Sequence, residues 1–265
     1  MKITLRLPLL ALASAGLLVA CGDDPTGSSD PASRSSTGLE GGIAVSAAAS
    51  LTEAFTQIGD DFSAANPGVE VTFNFDSSSA LVAQILEGAP ADVVASADEV
   101  TMAELTDAGL VAGEPEAFAR NELVIVTGPG NPEGITGLAD LTDAGIISLC
   151  GEDVPCGRAA TQALDAAGVT IAESSITRGQ NVKATLTAVT EGDAVAGIVY
   201  VTDATAAGDR VEAVTIPAAD NAVVTYPIGV LASSGEPGVA AAFLAHVLGD
   251  DGQAVLEEHG FLPPR

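Results

Sequence analysis

The run over residues 69–95, VEVTFNFDSSSALVAQILEGAPADVVA, decides the fold. Its start alternates, with Val71, Phe73 and Phe75 on one side, as a half-buried strand does. The turn Asp76-Ser77-Ser78-Ser79 gives way to apolar residues at helical spacing, which predicts a helix over 80–87. Gly88-Ala89-Pro90 breaks that helix, and 92–95 is an apolar run short enough for a buried strand. Strand, helix and strand within ~30 residues make a βαβ unit. Such units build parallel sheets covered on both faces by helices.

The same alternation continues on either side. Residues 43–45 read as a strand, and Leu51, Ala54, Phe55, Ile58 and Phe62 recur at helical spacing before the turn Asn66-Pro67-Gly68. Downstream, a helix is expected over 98–108, strands over 122–127 and 145–149, and helices over 158–167 and 182–191. A buried strand over 196–200, a returning strand over 223–232 and helices over 238–248 and 252–259 complete the chain. The fold class is α/β. Ligands of such sheets bind at the carboxyl ends of strands, near helix N-termini.

The N-terminus speaks for export. Lys2 and Arg6 precede an apolar run over 7–20, too short for the ~20 residues of a membrane span and of the length of a signal-peptide core. Leu18-Val19-Ala20-Cys21, followed by Gly22, resembles a bacterial lipoprotein box, which makes Cys21 the lipidated first residue of the mature chain. The expectation is a signal peptide over 1–20 and, over 21–42, a lipidated cysteine on a flexible tether of Asp, Pro, Ser, Thr and Gly. The ~220 residues that remain suffice for two lobes. No later segment is apolar enough to span a bilayer.

Nine Lys and Arg stand against 36 Asp and Glu, a formal charge of −27. Loss of Lys2 and Arg6 with the signal takes −27 to −29. A surface this acidic excludes nucleic acid and anionic lipid surfaces as partners. Aromatic residues make up 3% and Trp is absent, so no stacking platform for bases or sugars is available. Neither His246 nor His259 lies near a motif, no nucleophile–base pair or metal cluster is visible, and no Gly-Lys-Ser phosphate loop occurs. The chain does not read as an enzyme. Apart from Cys21, Cys150 and Cys156 lie close together, and in an oxidising compartment they read as a disulfide rather than as free thiols or a zinc site.

Four strand-to-helix junctions are suited to an anion. The first is Ala47-Ala48-Ala49-Ser50-Leu51-Thr52-Glu53; its local pattern alone reads as a capping box between Ser50 and Glu53, while the small residues permit close approach to the backbone. The serine turn at 76–79 is the second, where one Ser suffices as a cap and three offer a cluster of donors. Val154-Pro155-Cys156-Gly157 and Gly179-Gln180-Asn181-Val182 are the third and fourth. Helix N-termini present unpaired N–H groups and partial positive charge, so they hold anions without Lys or Arg. Surface carboxylates beyond ~8–10 Å are screened, so local donors outweigh the global sign.

These junctions, with Gly88-Ala89-Pro90-Ala91-Asp92-Val93, Ser96-Ala97-Asp98 and Gly197-Ile198-Val199-Tyr200, occur in an order that resembles the periplasmic molybdate-binding proteins of ABC transporters. The resemblance spans 43–261. It implies a two-lobed type II periplasmic clamshell, each lobe a mainly parallel sheet flanked by helices. Lobe 1 would comprise 43–120 plus 228–265 and lobe 2 would comprise 121–227, with crossing strands near 122–127 and 223–232. It further implies molybdate or tungstate as ligand and no cofactor. Ser50 and Ser78 would donate through hydroxyls, Cys156 and Val182 through backbone N–H groups, and Tyr200 through its phenol. The implied partner is a membrane permease, and the protein would be a monomer on the outer face of the bacterial cytoplasmic membrane, tethered through Cys21. Two departures stand out: Cys156 occupies a position where the family often has Ala, and Asp76 adjoins the serine cluster. Asp76 is expected to face solvent or to cap a turn. Another oxyanion, sulfate or phosphate, or a lipid-anchored sensor of the same anion, are the competing readings.

Overall fold

A computed structural model describes residues 38–265. The segments expected as signal peptide, lipidated Cys21 and most of the tether lie outside the described residues. The chain runs β1 (Glu40–Ala48), α1 (Thr52–Ala65), β2 (Gly68–Asp76), α2 (Ser78–Leu86), β3 (Val93–Ala95), α3 (Glu99–Asp107) and β4 (Glu116–Thr127). It continues through β5 (Ile147–Cys150), α4 (Pro155–Ala167), β6 (Ile176–Gly179), α5 (Val182–Thr190), β7 (Ala196–Tyr200), α6 (Val201–Ala207) and β8 (Glu212–Thr215). β9 (Val223–Val230), α7 (Pro237–Leu248) and α8 (Asp250–Glu258) close it. Glu40, Gly41 and Gly42, at the end of the segment expected as a tether, pair with β2 as the start of β1.

Strand order is β2-β1-β3-β9-β4-β7-β5-β6, with β8 also paired to β4. β1 pairs in parallel with β2 and β3, and β5 in parallel with β6 and β7. These are the βαβ units read from the sequence. Between them lie β9 and β4, antiparallel to each other and to their neighbours β3 and β7. β4 serves both halves: residues 116–122 pair with β9 and residues 123–127 with β7.

Two apolar cores flank this crossing. One gathers Ile43, Val45, Phe55, Ile58, Phe62, Phe118 and Phe243, all buried. Its phenyl rings meet edge-on or tilted, Phe55 to Phe118 at 5.6 Å and Phe62 to Phe243 at 5.4 Å between centroids. Burying each such ring contributes ~1.5–3 kcal/mol. Val69 lies on the same buried side of β2 as the partly buried Val71, Phe73 and Phe75, so the alternating set has four members. The other core holds Leu123, Ile125, Ile147, Leu149, Ala159, Ile198 and Val199. Ala49, early in the chain, packs into this second core, so the two halves touch where β1 ends.

Candidate functional site

The segments that follow the carboxyl ends of β1, β2, β3, β5 and β6, together with the last residue of β7, converge on one small cavity. Ala48, Ala49, Ser50, Ser77, Ser78, Ala97, Pro155, Cys156, Asn181, Val182 and Tyr200 line it. All five residues singled out as donors, Ser50, Ser78, Cys156, Val182 and Tyr200, are therefore together. Each is buried, and no Lys or Arg is among the lining.

Ser50 is not the cap its local pattern suggests. Neither the 3-10 turn over Ala49–Leu51 nor α1 has a side-chain cap, and Glu53 points elsewhere. The Ser50 Oγ lies 2.8 Å from the Tyr226 hydroxyl instead. The three serines at the start of α2 divide their work. Ser77 is the cap, accepting from Ala80 N–H. Ser78 Oγ accepts from Ala97 N–H at 2.9 Å, which leaves its own proton to donate. Ser79 donates to the Asp153 carbonyl at 2.8 Å, across to the loop before α4.

Cys156 and Val182 occupy the first turns of α4 and α5, whose N–H groups lack intrahelical acceptors. α4 opens with Pro155 and has no side-chain cap; the α5 cap Asn181 takes the Ala184 N–H and leaves Val182 N–H free of it. Cys150 and Cys156 are joined by a disulfide, with Cα atoms 5.8 Å apart. Behind it the backbone is tightly folded, since a Cβ on Gly157 would overlap the Gly151 carbonyl. Tyr200, at the end of β7, is 1% exposed, and its hydroxyl has no hydrogen-bond partner among the described residues. Burial, then the neighbouring Tyr226, Asp98 and Asp203, hold its pKa well above the ordinary tyrosine value, so it remains a proton donor.

Polar contacts around the cavity join the two halves. Asp76 is half-buried, and its Oδ1 accepts from Ser77 N–H at 2.7 Å, at the start of the serine turn, and from Asn181 Nδ2 at 2.8 Å. Its Oδ1 is thereby engaged by two neutral donors beside the cavity. Arg158 on α4 donates from Nε and Nη2 to Asp98 Oδ2 at 2.9 and 2.6 Å. Lys183 on α5 pairs with Glu53 on α1 and with buried Asp203, at 2.7 and 3.1 Å. Both of these cations are thus matched by carboxylates. What remains for a ligand is hydroxyl and amide protons.

The fold is that of a two-lobed solute-binding protein. Residues 43–262 match the family described as bacterial extracellular solute-binding protein, and the chain belongs to it. The molybdate-binding protein ModA of Mycobacterium tuberculosis is 43% identical over 250 residues, 93% of each chain. That of Haemophilus influenzae is 31% identical over 83% of this chain and 89% of its own. Among solved structures, the periplasmic molybdate-binding protein of Azotobacter vinelandii superposes with a TM-score of 0.75 at 23% identity, covering 84% of this chain and all of its own. The sulfate-binding protein SubI of Mycobacterium tuberculosis gives 0.74 at 22%, over 84% and 86%. Both structural likenesses are statements about fold. Membership makes the protein an exported binding protein rather than an enzyme. No helix among the described residues is long and apolar enough to cross a membrane.

Proposed function

We propose that this protein captures molybdate, and tungstate with it, between its two lobes and delivers the anion to the permease of an ABC importer. One observation carries the reading: three hydroxyls and two helix N-termini, all on buried residues, converge on a partly open cavity that no cationic side chain lines. The curated relatives named above for molybdate binding support the choice of anion.

In this reading Ser50, Ser78 and Tyr200 donate O–H protons, and Cys156 and Val182 donate N–H protons, to the oxygens of a dianion. Charge-assisted hydrogen bonds to every oxygen compensate the loss of its hydration. A fully deprotonated tetrahedral ion suits a site made only of donors. Hydrogenphosphate, which carries a proton, lacks an acceptor there. Lobe 1 is residues 43–120 plus 228–265 and lobe 2 is 121–227, with β4 and β9 as the connecting strands. Ligand bridging the lobes favours their closed arrangement, the form offered to the permease. The protein works as a monomer, held at the outer face of the cytoplasmic membrane by lipid on Cys21.

Calorimetric titration of the mature protein with molybdate, tungstate, sulfate and phosphate tests the assignment. Molybdate and tungstate are expected to bind far more tightly than the other two. Tighter binding of sulfate or phosphate contradicts it.

A further inference from the structure

Ser50 can recognise an anion only if its hydroxyl proton points into the cavity, and a free hydroxyl rotates. Two residues outside the cavity, Tyr226 and Asn121, restrict that freedom. Asn121 on β4 is fully buried, and its Oδ1 accepts from Glu122 N–H at 3.0 Å. With the carbonyl end of the amide so engaged, the NH₂ end faces Thr202 Oγ1 at 2.9 Å and the Tyr226 hydroxyl at 3.4 Å. A phenol oxygen that accepts from Asn121 has its own proton left for Ser50 Oγ, 2.8 Å away. Ser50 then accepts from Tyr226, and its remaining proton goes to the cavity.

We propose that Tyr226 is a positioning residue for anion recognition: directed by Asn121, its phenolic proton fills a lone pair of Ser50 and turns the Ser50 hydroxyl toward the ligand. The inference rests on the reading of the cavity as an oxyanion site. Tyr226 does not line that cavity, and it is fully buried between Phe118, Phe261 and Tyr200, with ring centroids 6.2, 5.4 and 6.1 Å away. Burial holds the phenol protonated, its pKa far above the ordinary tyrosine value. Asn121 and Tyr226 belong to the two antiparallel strands that connect the cores, so the relay is anchored in the crossing itself.

A serine that accepts from Tyr226 has one lone pair fewer to offer the proton of hydrogenphosphate than a serine relieved of it. Tyr226 therefore works against protonated anions at an atom it touches from behind.

The test is a double-mutant cycle read by calorimetry with molybdate and with inorganic phosphate. Tyr226→Phe is expected to weaken molybdate binding about tenfold, the cost of one misdirected charge-assisted donor. In a Ser50→Ala background the same substitution is expected to change affinity less than about twofold, because the effect passes through Ser50. The preference for molybdate over phosphate is expected to narrow in Tyr226→Phe. Equal losses in both backgrounds, or an unchanged anion preference, overturn the proposal, because a packing role predicts both. If Tyr226→Phe does not fold, Asn121→Leu, which frees the phenol to turn from Ser50, should weaken molybdate binding in the same direction; wild-type affinity there overturns the relay. Wild-type protein that binds no molybdate contradicts the reading of the cavity and the relay with it, while tight wild-type binding with an additive cycle contradicts Tyr226 alone.

Discussion

Lys183 on α5 reaches from the second core to the first, its Nζ 2.8 and 2.7 Å from the two carboxylate oxygens of Glu53 on α1. Burial favours the neutral amine, yet the carboxylates of Asp203 and Glu53 outweigh it and raise the pKa above the ordinary lysine value. The lysine is therefore charged at every physiological pH. It clasps the cleft from outside the ligand shell.

Glu53→Gln should loosen that clasp without touching the cavity. The pair is partly exposed, with side-chain accessibilities of 27% and 40%, so its worth is ~0.5–1 kcal/mol. Molybdate should bind about threefold more weakly, chiefly through faster release, and the effect should shrink at high salt. Stopped-flow release rates at two ionic strengths measure it; unchanged release contradicts a role in closure.

Ser78→Ala and Tyr200→Phe each remove a proton donor from the cavity. Each should weaken molybdate binding by ~1–3 kcal/mol. Tyr200→Phe should leave the ligand-free protein at least as stable as wild type, since the hydroxyl has no protein partner among the described residues. Titration and thermal melts of the two variants check both statements.

Asp203 is fully buried, and burial pushes its carboxyl up to about 6 against the opposing pull of Lys183. The folded state thus takes up a proton between about pH 6 and the unfolded value of 3.8, where the unfolded chain does not. This contribution to stability is full below the unfolded pKa and is lost as pH rises through about 6. Asp203→Asn abolishes that dependence. The variant should gain roughly 1 kcal/mol on wild type between pH 5 and pH 7.5, measured by denaturant melts at the two pH values. A parallel response in both proteins contradicts the assignment.

Reduction of the Cys150–Cys156 bond should lower stability by ~2 kcal/mol in the chain-entropy view. It should also weaken molybdate binding, because the bonded loop holds the first turn of α4 and its Cys156 N–H. Melts and titrations with and without dithiothreitol test this, with a Cys150→Ser/Cys156→Ser variant as control.

Much of this architecture was legible because it is written locally. Alternation at Val71, Phe73 and Phe75 and helical spacing at Leu51, Phe55, Ile58 and Phe62 are properties of neighbours along the chain. The elements that escaped notice lack such a signature. β8 is largely exposed, β6 is only half-buried, and α6 is built mostly from small and polar residues directly after β7. The first half of β4 alternates weakly because it bridges two halves and is exposed at its start. At the site, the serine cluster and helix starts were readable as donors. The true partner of Ser50 was not, since Tyr226 lies 176 residues away and a local capping box with Glu53 looked complete. Glu53 itself answers to Lys183, 130 residues on.

The central claim is that hydroxyl and amide protons, without a cationic side chain, hold a doubly charged anion in this cleft. A crystal structure of the molybdate complex, phased on the anomalous scattering of molybdenum, tests it most directly. The account predicts one strong peak in the cavity, with Ser50 Oγ, Ser78 Oγ, Tyr200 Oη and the nitrogens of Cys156 and Val182 at ~2.7–3.2 Å from its oxygens. A peak elsewhere, or an anion held by Lys183 or Arg158, contradicts it.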